Sequence, residues 1–367
     1  MSNVKKILAS VGQVEIGQCV YLPGQPEPLI EVGGMTFLQS GNRIVDEAAN
    51  YPEAFSGFLV PSDQVVFTQR DSLAGRKWNS VTYGNGVFVA IAYGSSSAAT
   101  SPDGIVWTPR TLLDPISWTS VTYGNGVFVA VAEDSDIAAT SPDGITWTRR
   151  TLPYSARWNS VTFGNGVFVA VAEDSDIAAT SPDGITWTQR TLPVSANWFS
   201  VAYGNGTFVA VAQNSSIAAT SSDGITWNQQ VMPSSAGWYS IIYGGGLFVV
   251  TAGVSDRIAT SPDGVTWSLQ QLPQTTTWRA VAYGGGTFVA VGYGTTNAAI
   301  SADGITWSNL AMPSPWKTWQ SAIYGNGVFV VVAYNSSASV VGIQPPTIGI
   351  RTPANDPVYG TLYMRVK

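Results

Sequence analysis

Residues 118–157 read WTSVTYGNGVFVAVAEDSDIAATSPDGITWTRRTLPYSAR. Trp118 to Tyr123 fits a first strand, A. Gly124-Asn125-Gly126 then supplies residues that tolerate positive φ, as a tight hairpin turn requires. Val127 to Ala132 is apolar at every position, so this second strand, B, is expected to be buried on both faces. Glu133-Asp134-Ser135-Asp136 makes a polar turn. Ile137 to Thr140 is a third strand, C, closed by Ser141-Pro142-Asp143-Gly144. Ile145 to Arg149 is the fourth, D, and Thr151-Leu152-Pro153 leads onward. No helical period occurs, and glycine or proline marks the turns.

The segment is one copy of a repeat. Trp78, Trp118, Trp158, Trp198, Trp238 and Trp278 are spaced by 40 residues, and Trp319 follows one residue late. Trp107, Trp147, Trp187, Trp227, Trp267 and Trp307 form a second series at the same period. Residues 121–153 and 161–193 differ only at Tyr123/Phe163 and Arg149/Gln189. A period near 40 with four short strands per copy predicts an all-β β-propeller. Seven A strands are present but six complete units. Val65 to Arg70 aligns with Ile185 to Arg190, and Phe67 lies eleven residues before Trp78 as Trp187 does before Trp198. The N-terminal side is therefore expected to supply strand D of the last blade, closing the ring and leaving no open edge. The expected fold is a seven-bladed propeller of four-stranded blades over 57–341. Residues 1–56 are expected to be an attachment region of short strands, with 342–367 as a tail packing against it.

The 367 residues are 45% apolar and only 11% charged, with a net charge of −6. A mildly acidic surface without a basic patch argues against nucleic acid and anionic membranes. Histidine is absent, which excludes His-based acid–base chemistry and His metal sites. No metal or cofactor is expected. Cys19 is the sole cysteine, so no intrachain disulfide can form, and a small buried apolar role is expected for it. No apolar run approaches the ~20 residues of a membrane span, so no membrane insertion is expected. Met1 to Gln18 does not read as a signal peptide.

The motif Ser141-Pro142-Asp143-Gly144-Ile145-Thr146-Trp147 recurs from Ser101, Ser181, Ser221, Ser261 and Ser301. It resembles the Asp-box of sialidases and related propellers, although the family's usual form has one more residue between Asp and Gly. A structural role is expected for Asp103, Asp143, Asp183, Asp223, Asp263 and Asp303. The carboxylate accepts N–H bonds within the turn, and the glycine takes the left-handed position. The resemblance also implies a test for sialidase chemistry, in which three arginines clamp a carboxylate. Arg110, Arg150 and Arg190 instead repeat on outer strand D. Arg157 and Arg279 alone lie near starts of strand A, so no triad is expected on the axis. Glu133, Asp134 and Asp136 are duplicated at Glu173, Asp174 and Asp176, which reads as solvated turns. No catalytic residue is assigned.

Ser40-Gly41-Asn42-Arg43-Ile44 with Tyr51-Pro52-Glu53-Ala54-Phe55, and the ending Leu362-Tyr363-Met364-Arg365-Val366-Lys367, resemble segments of phage tail-fibre proteins. The repeat itself is similar to repeats in phage and prophage tail proteins. The resemblance implies a virion protein of the tail fibre or tail tip, made in the host cytoplasm and joined to other tail proteins through its termini.

In such a blade the A–B and C–D turns share one face, and the B–C turns and D–A connections share the other. The first pair barely varies between copies; the second does. Residues shared by all copies meet the common demands of folding, so the varying face is where a specific surface can be written. On it, Tyr293, Tyr334 with Asn335, and Tyr93 come from copies that are neighbours once the ring closes. Trp316, in a one-residue insertion, is the tryptophan outside both series. Exposed aromatics beside Asn, Ser and Thr suit a sugar. The alternative is that Trp316 packs between blades and the tyrosines cover strand ends. The expected function is non-enzymatic binding of a bacterial surface glycan or protein. A decoration protein without a host ligand, or a glycosidase, are the alternatives.

Overall fold

The computed structural model describes residues 65–343 with their side chains, apart from positions 71, 72, 74, 314–317, 335 and 337, and elsewhere the backbones of six strands. The chain divides into two compact units, Val65–Gln344 and Met1–Gln64 with Pro345–Lys367. In the second unit the strands Ile16–Val20, Leu29–Val32, Met35–Ser40, Arg43–Asp46, Gly360–Met364 and Ile348–Arg351 form one sheet in that order. The role expected for the Cys19 side chain lies outside the described residues.

The first unit is an all-β propeller. The copy quoted above folds as Trp118–Gly124, Val127–Ala132, Ser135–Ser141 and Thr148–Ala156, an antiparallel meander in sequence order. Strand D begins later than its sequence suggests. Ile145 to Trp147 belong to the preceding turn, and Leu152-Pro153 continue the strand instead of linking copies. The N-terminal strand Val66–Arg70 pairs with Ser339–Ile343, with Phe67 opposite Gly342.

The blade number differs from expectation. The propeller has six hydrogen-bonded sheets, hence six blades and not seven; five have four strands and one has six. In the six-stranded blade, Thr207–Ser221 runs unbroken through what is elsewhere the B–C turn. Asn228–Gly244 likewise runs from an outer strand directly into the next inner one. The fourth and fifth copies of the repeat thus share a sheet. Gly237 sits at the junction, opposite both Gln213 and Gly253, where Arg157 or Asn197 ends the strand in earlier copies.

Strand B explains how the copies stack. Phe128, Val129, Ala130, Val131 and Ala132 are all fully buried. Phe128, Ala130 and Ala132 pack with Trp118 of their own copy. Val129 and Val131 turn the other way and pack with Trp158, Phe168 and Ala170 of the next. The two-residue period of a strand therefore shares each apolar core between consecutive copies. Every tryptophan of the first series is at most 2% exposed. Burying such a ring is worth roughly 4–6 kcal/mol, at ~25 cal/mol per Å² over ~150–250 Å².

The glycine ending strand A makes the contact possible. A Cβ on Gly124 would lie 2.0 Å from the ring of Phe163, and one on Gly325 would lie 2.2 Å from the ring of Tyr83. Each aromatic of the motif rests on the glycine of the copy before it, and the last copy receives the first in the same way.

Candidate functional site

Strand A pairs irregularly with strand B. Trp118 lies opposite Ala132, yet Ser120 lies opposite Val131, so the register slips by one residue at Thr119. The same slip follows the tryptophan in every copy. Such a bulge re-aims the extra side chain. The re-aimed residues are Asn79, Thr119, Asn159, Phe199, Tyr239, Arg279 and Gln320, and all seven line one cavity of about 380 Å³. One residue from each copy can meet in this way only around the axis of the ring.

The next residue but one after each tryptophan holds the ring together beneath them. Ser80 Oγ accepts a hydrogen bond from the Val121 N–H at 3.1 Å, and Ser120 accepts one from Val161 at 3.2 Å. Ser160, Ser200, Ser240 and Ser321 repeat the contact. Ala280 has no hydroxyl to offer its successor.

Above the serines, amides tie the cavity wall. Gln320 Nε2 donates to Asn79 Oδ1 at 2.8 Å, and Asn79 Nδ2 donates to the Thr119 carbonyl at 2.8 Å. Asn159 Nδ2 donates to the Phe199 carbonyl at 2.7 Å. The remaining arc is aromatic. Phe199 and Tyr239 meet edge to face at 5.2 Å, and the Arg279 guanidinium lies 5.1 Å and 4.7 Å from their ring centres. Its Nε donates to Gln320 Oε1 at 3.1 Å. Burial pulls the Arg279 guanidinium below its ordinary range, because the charged form is desolvated.

The rim comes from the residues after strand B and from the D–A connections. Tyr93, Glu133, Glu173, Tyr293, Tyr334 and Arg157 line the same cavity. The Tyr93 hydroxyl donates to Glu133, which raises the phenol from its ordinary value. Lys77 stands 5.8 Å and 5.6 Å from the ring centres of Tyr93 and Tyr334, which are 6.3 Å apart. Arg157 pairs with Glu173 at 3.0 Å, Asp174 at 2.9 Å and Asp134 at 3.9 Å. Burial pushes the Glu173 carboxyl up, and Arg157 opposes that only in part.

Of the residues singled out on the varying face, the structure brings Tyr93, Tyr293 and Tyr334 to one cavity. Trp316 and Asn335 lie outside the described residues. Two readings need correction. Glu133 and Glu173 are not plain solvated turn residues: both line the cavity, and the Glu173 side chain is 11% exposed, against 65% for Asp174. Arg157 and Arg279 do converge on the axis, although no third arginine joins them. The whole axial column was missed. Its signal was the varying position between two constants, Trp and Ser, in each copy.

The Ser-x-Asp-Gly turns lie apart from the cavity. In the second copy, Asp143 Oδ1 accepts the N–H groups of Ile145 and Thr146 at 2.8 Å and 2.9 Å, and Ser141 Oγ accepts that of Gly144 at 2.8 Å. The Trp147 indole donates to the Gly144 carbonyl at 3.2 Å. The bonds recur around Asp103, Asp183, Asp223, Asp263 and Asp303. Donation by these backbone groups holds Asp143 and Asp183 below the usual carboxylate range. Asn125 Nδ2 clasps the next turn, donating to the Pro182 carbonyl at 3.2 Å. Among the described residues no group of three His, Cys, Asp or Glu could hold a metal ion. No helix among them is long and apolar enough to cross a membrane.

A family model described as the DUF6242 beta propeller domain matches residues 114–238, roughly a third of the chain. No curated protein matches the sequence. Among solved structures, virginiamycin B lyase from Staphylococcus aureus aligns with a TM-score of 0.70 at 10% identity, covering 76% of this chain and 99% of that one. YCF48 bound to D1 peptide aligns with a TM-score of 0.62 at 15% identity, covering 76% and 96%. YCF48 from Cyanidioschyzon merolae gives 0.61 at 14%, covering 76% and 98%. At these identities the likeness is one of fold: the chain carries a β-propeller.

Proposed function

We propose that this chain is a non-enzymatic receptor-binding protein of a phage virion, a tail-fibre or tail-tip component whose axial cavity holds a bacterial surface glycan. The virion assignment rests on the resemblance of the repeat and both chain ends to phage tail proteins. Attachment to other tail proteins belongs to the termini in this reading, and the Asp-box-like turns are structural. The binding assignment rests on one observation. Copies that are nearly identical elsewhere carry Asn, Thr, Asn, Phe, Tyr, Arg and Gln in the bulge that faces the axis. Folding alone gives no reason for that spread. Aromatic faces for a sugar ring, with amides, carboxylates and a guanidinium for its hydroxyls, make up the lining.

A solved propeller of similar fold is named a lyase and another is described with a bound peptide, so the fold alone does not choose. One observation favours a second reading, glycoside hydrolysis: Glu133 and Glu173 share the cavity, and burial raises the Glu173 carboxyl. Two carboxyl groups with separated pKa values are what that reaction needs. Glu173 is, however, held by Arg157 at 3.0 Å and Glu133 by the Tyr93 hydroxyl. The test is a glycan array with the full chain, run beside a reducing-sugar assay on the same glycans. Retention without sugar release is the expected result. Release that is abolished by Glu173→Gln would move the assignment to a hydrolase.

A further inference from the structure

Arg279 stands apart from the other charges of the cavity. Arg157 is matched by Glu173, Asp174 and Asp134. Arg279 has no carboxylate within ion-pair distance among the described residues, and Glu173 acts on it only from farther off. The rings of Phe199 and Tyr239 lie 5.1 Å and 4.7 Å from the guanidinium carbon, and Gln320 takes the Nε–H at 3.1 Å. The two terminal nitrogens find no acceptor among the described residues. They form the edge that makes paired hydrogen bonds to a carboxylate.

The fold does not call for a cation here. The same bulge holds Asn79, Thr119, Asn159 and Gln320 in other copies. An unmatched charge drawn out of water lowers the stability of the free protein. Keeping it points to an anionic group arriving from outside. The rest of the lining limits what that group can be. Glu133 and Glu173 come from the second and third copies, across the ring from the sixth copy that carries Arg279. A doubly charged phosphate would be repelled by both. A sugar with a single carboxylate meets no such conflict, because its hydroxyls can donate to the two glutamates while its carboxylate takes the arginine.

We propose that the axial cavity recognises an acidic sugar residue bearing one carboxylate, which the terminal nitrogens of Arg279 hold in a paired hydrogen bond. This rests on the glycan-binding reading above and names its ligand class. The probes are glucuronate-, galacturonate- and sialate-terminated oligosaccharides, their carboxyl-reduced counterparts, and sugar phosphates, arrayed against the full chain. At least one acidic probe is retained, and its reduced counterpart binds at least tenfold more weakly. Arg279→Gln abolishes retention, and Arg279→Lys, which keeps the charge but loses the fork, weakens it severalfold. Melting is measured on the same proteins. Arg279→Gln melts at or above the wild-type temperature because the unmatched charge is gone, whereas a structural plug would make it melt lower. The acidic probe raises the melting temperature of wild type and leaves Arg279→Gln unmoved. Equal binding of neutral glycans, a preference for sugar phosphates, or full retention by Arg279→Gln would overturn the carboxylate assignment and leave glycan binding standing. Retention of no glycan at all would remove both.

Discussion

The two faces of this propeller are cut from the same repeated text and have opposite characters. On one, Gly-Asn-Gly and Ser-x-Asp-Gly return with nearly the same hydrogen bonds in copy after copy. Asp143 and Asp183 accept the same backbone groups at matching distances. On the other, the residue beside each buried tryptophan changes from copy to copy, and the seven side chains converge on the axis. Equivalent positions under equal folding demands become equivalent residues. Where they diverge, something other than folding has chosen them. The comparison can be broken by a shared residue that governs binding, or by a varying one that governs stability.

The largest effect is expected at a shared core position. Trp158 is fully buried between two copies. Trp158→Ala should cost about 3–5 kcal/mol, as for buried aromatics cut to alanine, measured by denaturant unfolding. Glycan retention by whatever protein remains folded should not change. Asp183→Ala comes next. It removes the acceptor of the Ile185 and Thr186 N–H groups and should cost about 1–3 kcal/mol, again without altering retention. A loss of binding at full stability would show that the faces are wrongly assigned.

Acid should act through the same turns. The pKa values of Asp143, Asp183, Asp223 and Asp263 are lowered in the fold by donated backbone hydrogen bonds. Their contribution is complete above the unfolded carboxylate value of about 3.9 and is lost as pH falls through the lower folded values. Melting followed from pH 6 downward should therefore be flat in this respect until about pH 4 and then decline. Asp183→Ala should decline less steeply. The smallest effect on stability is expected at Tyr293, which is 40% exposed. Tyr293→Ala should shift unfolding by less than about 0.5 kcal/mol yet weaken glycan retention by about 1–3 kcal/mol.

The repeat was legible because tryptophan, glycine and an apolar run of strand B each answer a packing need that every copy has. Phe67 could be matched to Trp187, which located the closing strand opposite Gly342. The blade number was not legible. It depends on backbone hydrogen bonds running through Gly237, and a glycine there reads as a turn. The axial column was hidden for a related reason. Strict alternation would count Thr119 as one more residue of strand A, and the register slip that re-aims it leaves no mark in composition. Glu173 was misread because an acidic turn is usually solvated. Its burial follows from Arg157, supplied by the preceding connection.

The central claim is that shared residues carry the fold and the axial column carries recognition. Replacing Phe199, Tyr239, Arg279 and Gln320 together by asparagine, the residue the first and third copies already use at Asn79 and Asn159, tests it in one protein. Thermal unfolding and glycan-array retention are measured side by side. The account predicts a cooperative transition close to that of wild type together with loss of retention. A protein that unfolds, or one that keeps its full retention, would contradict it.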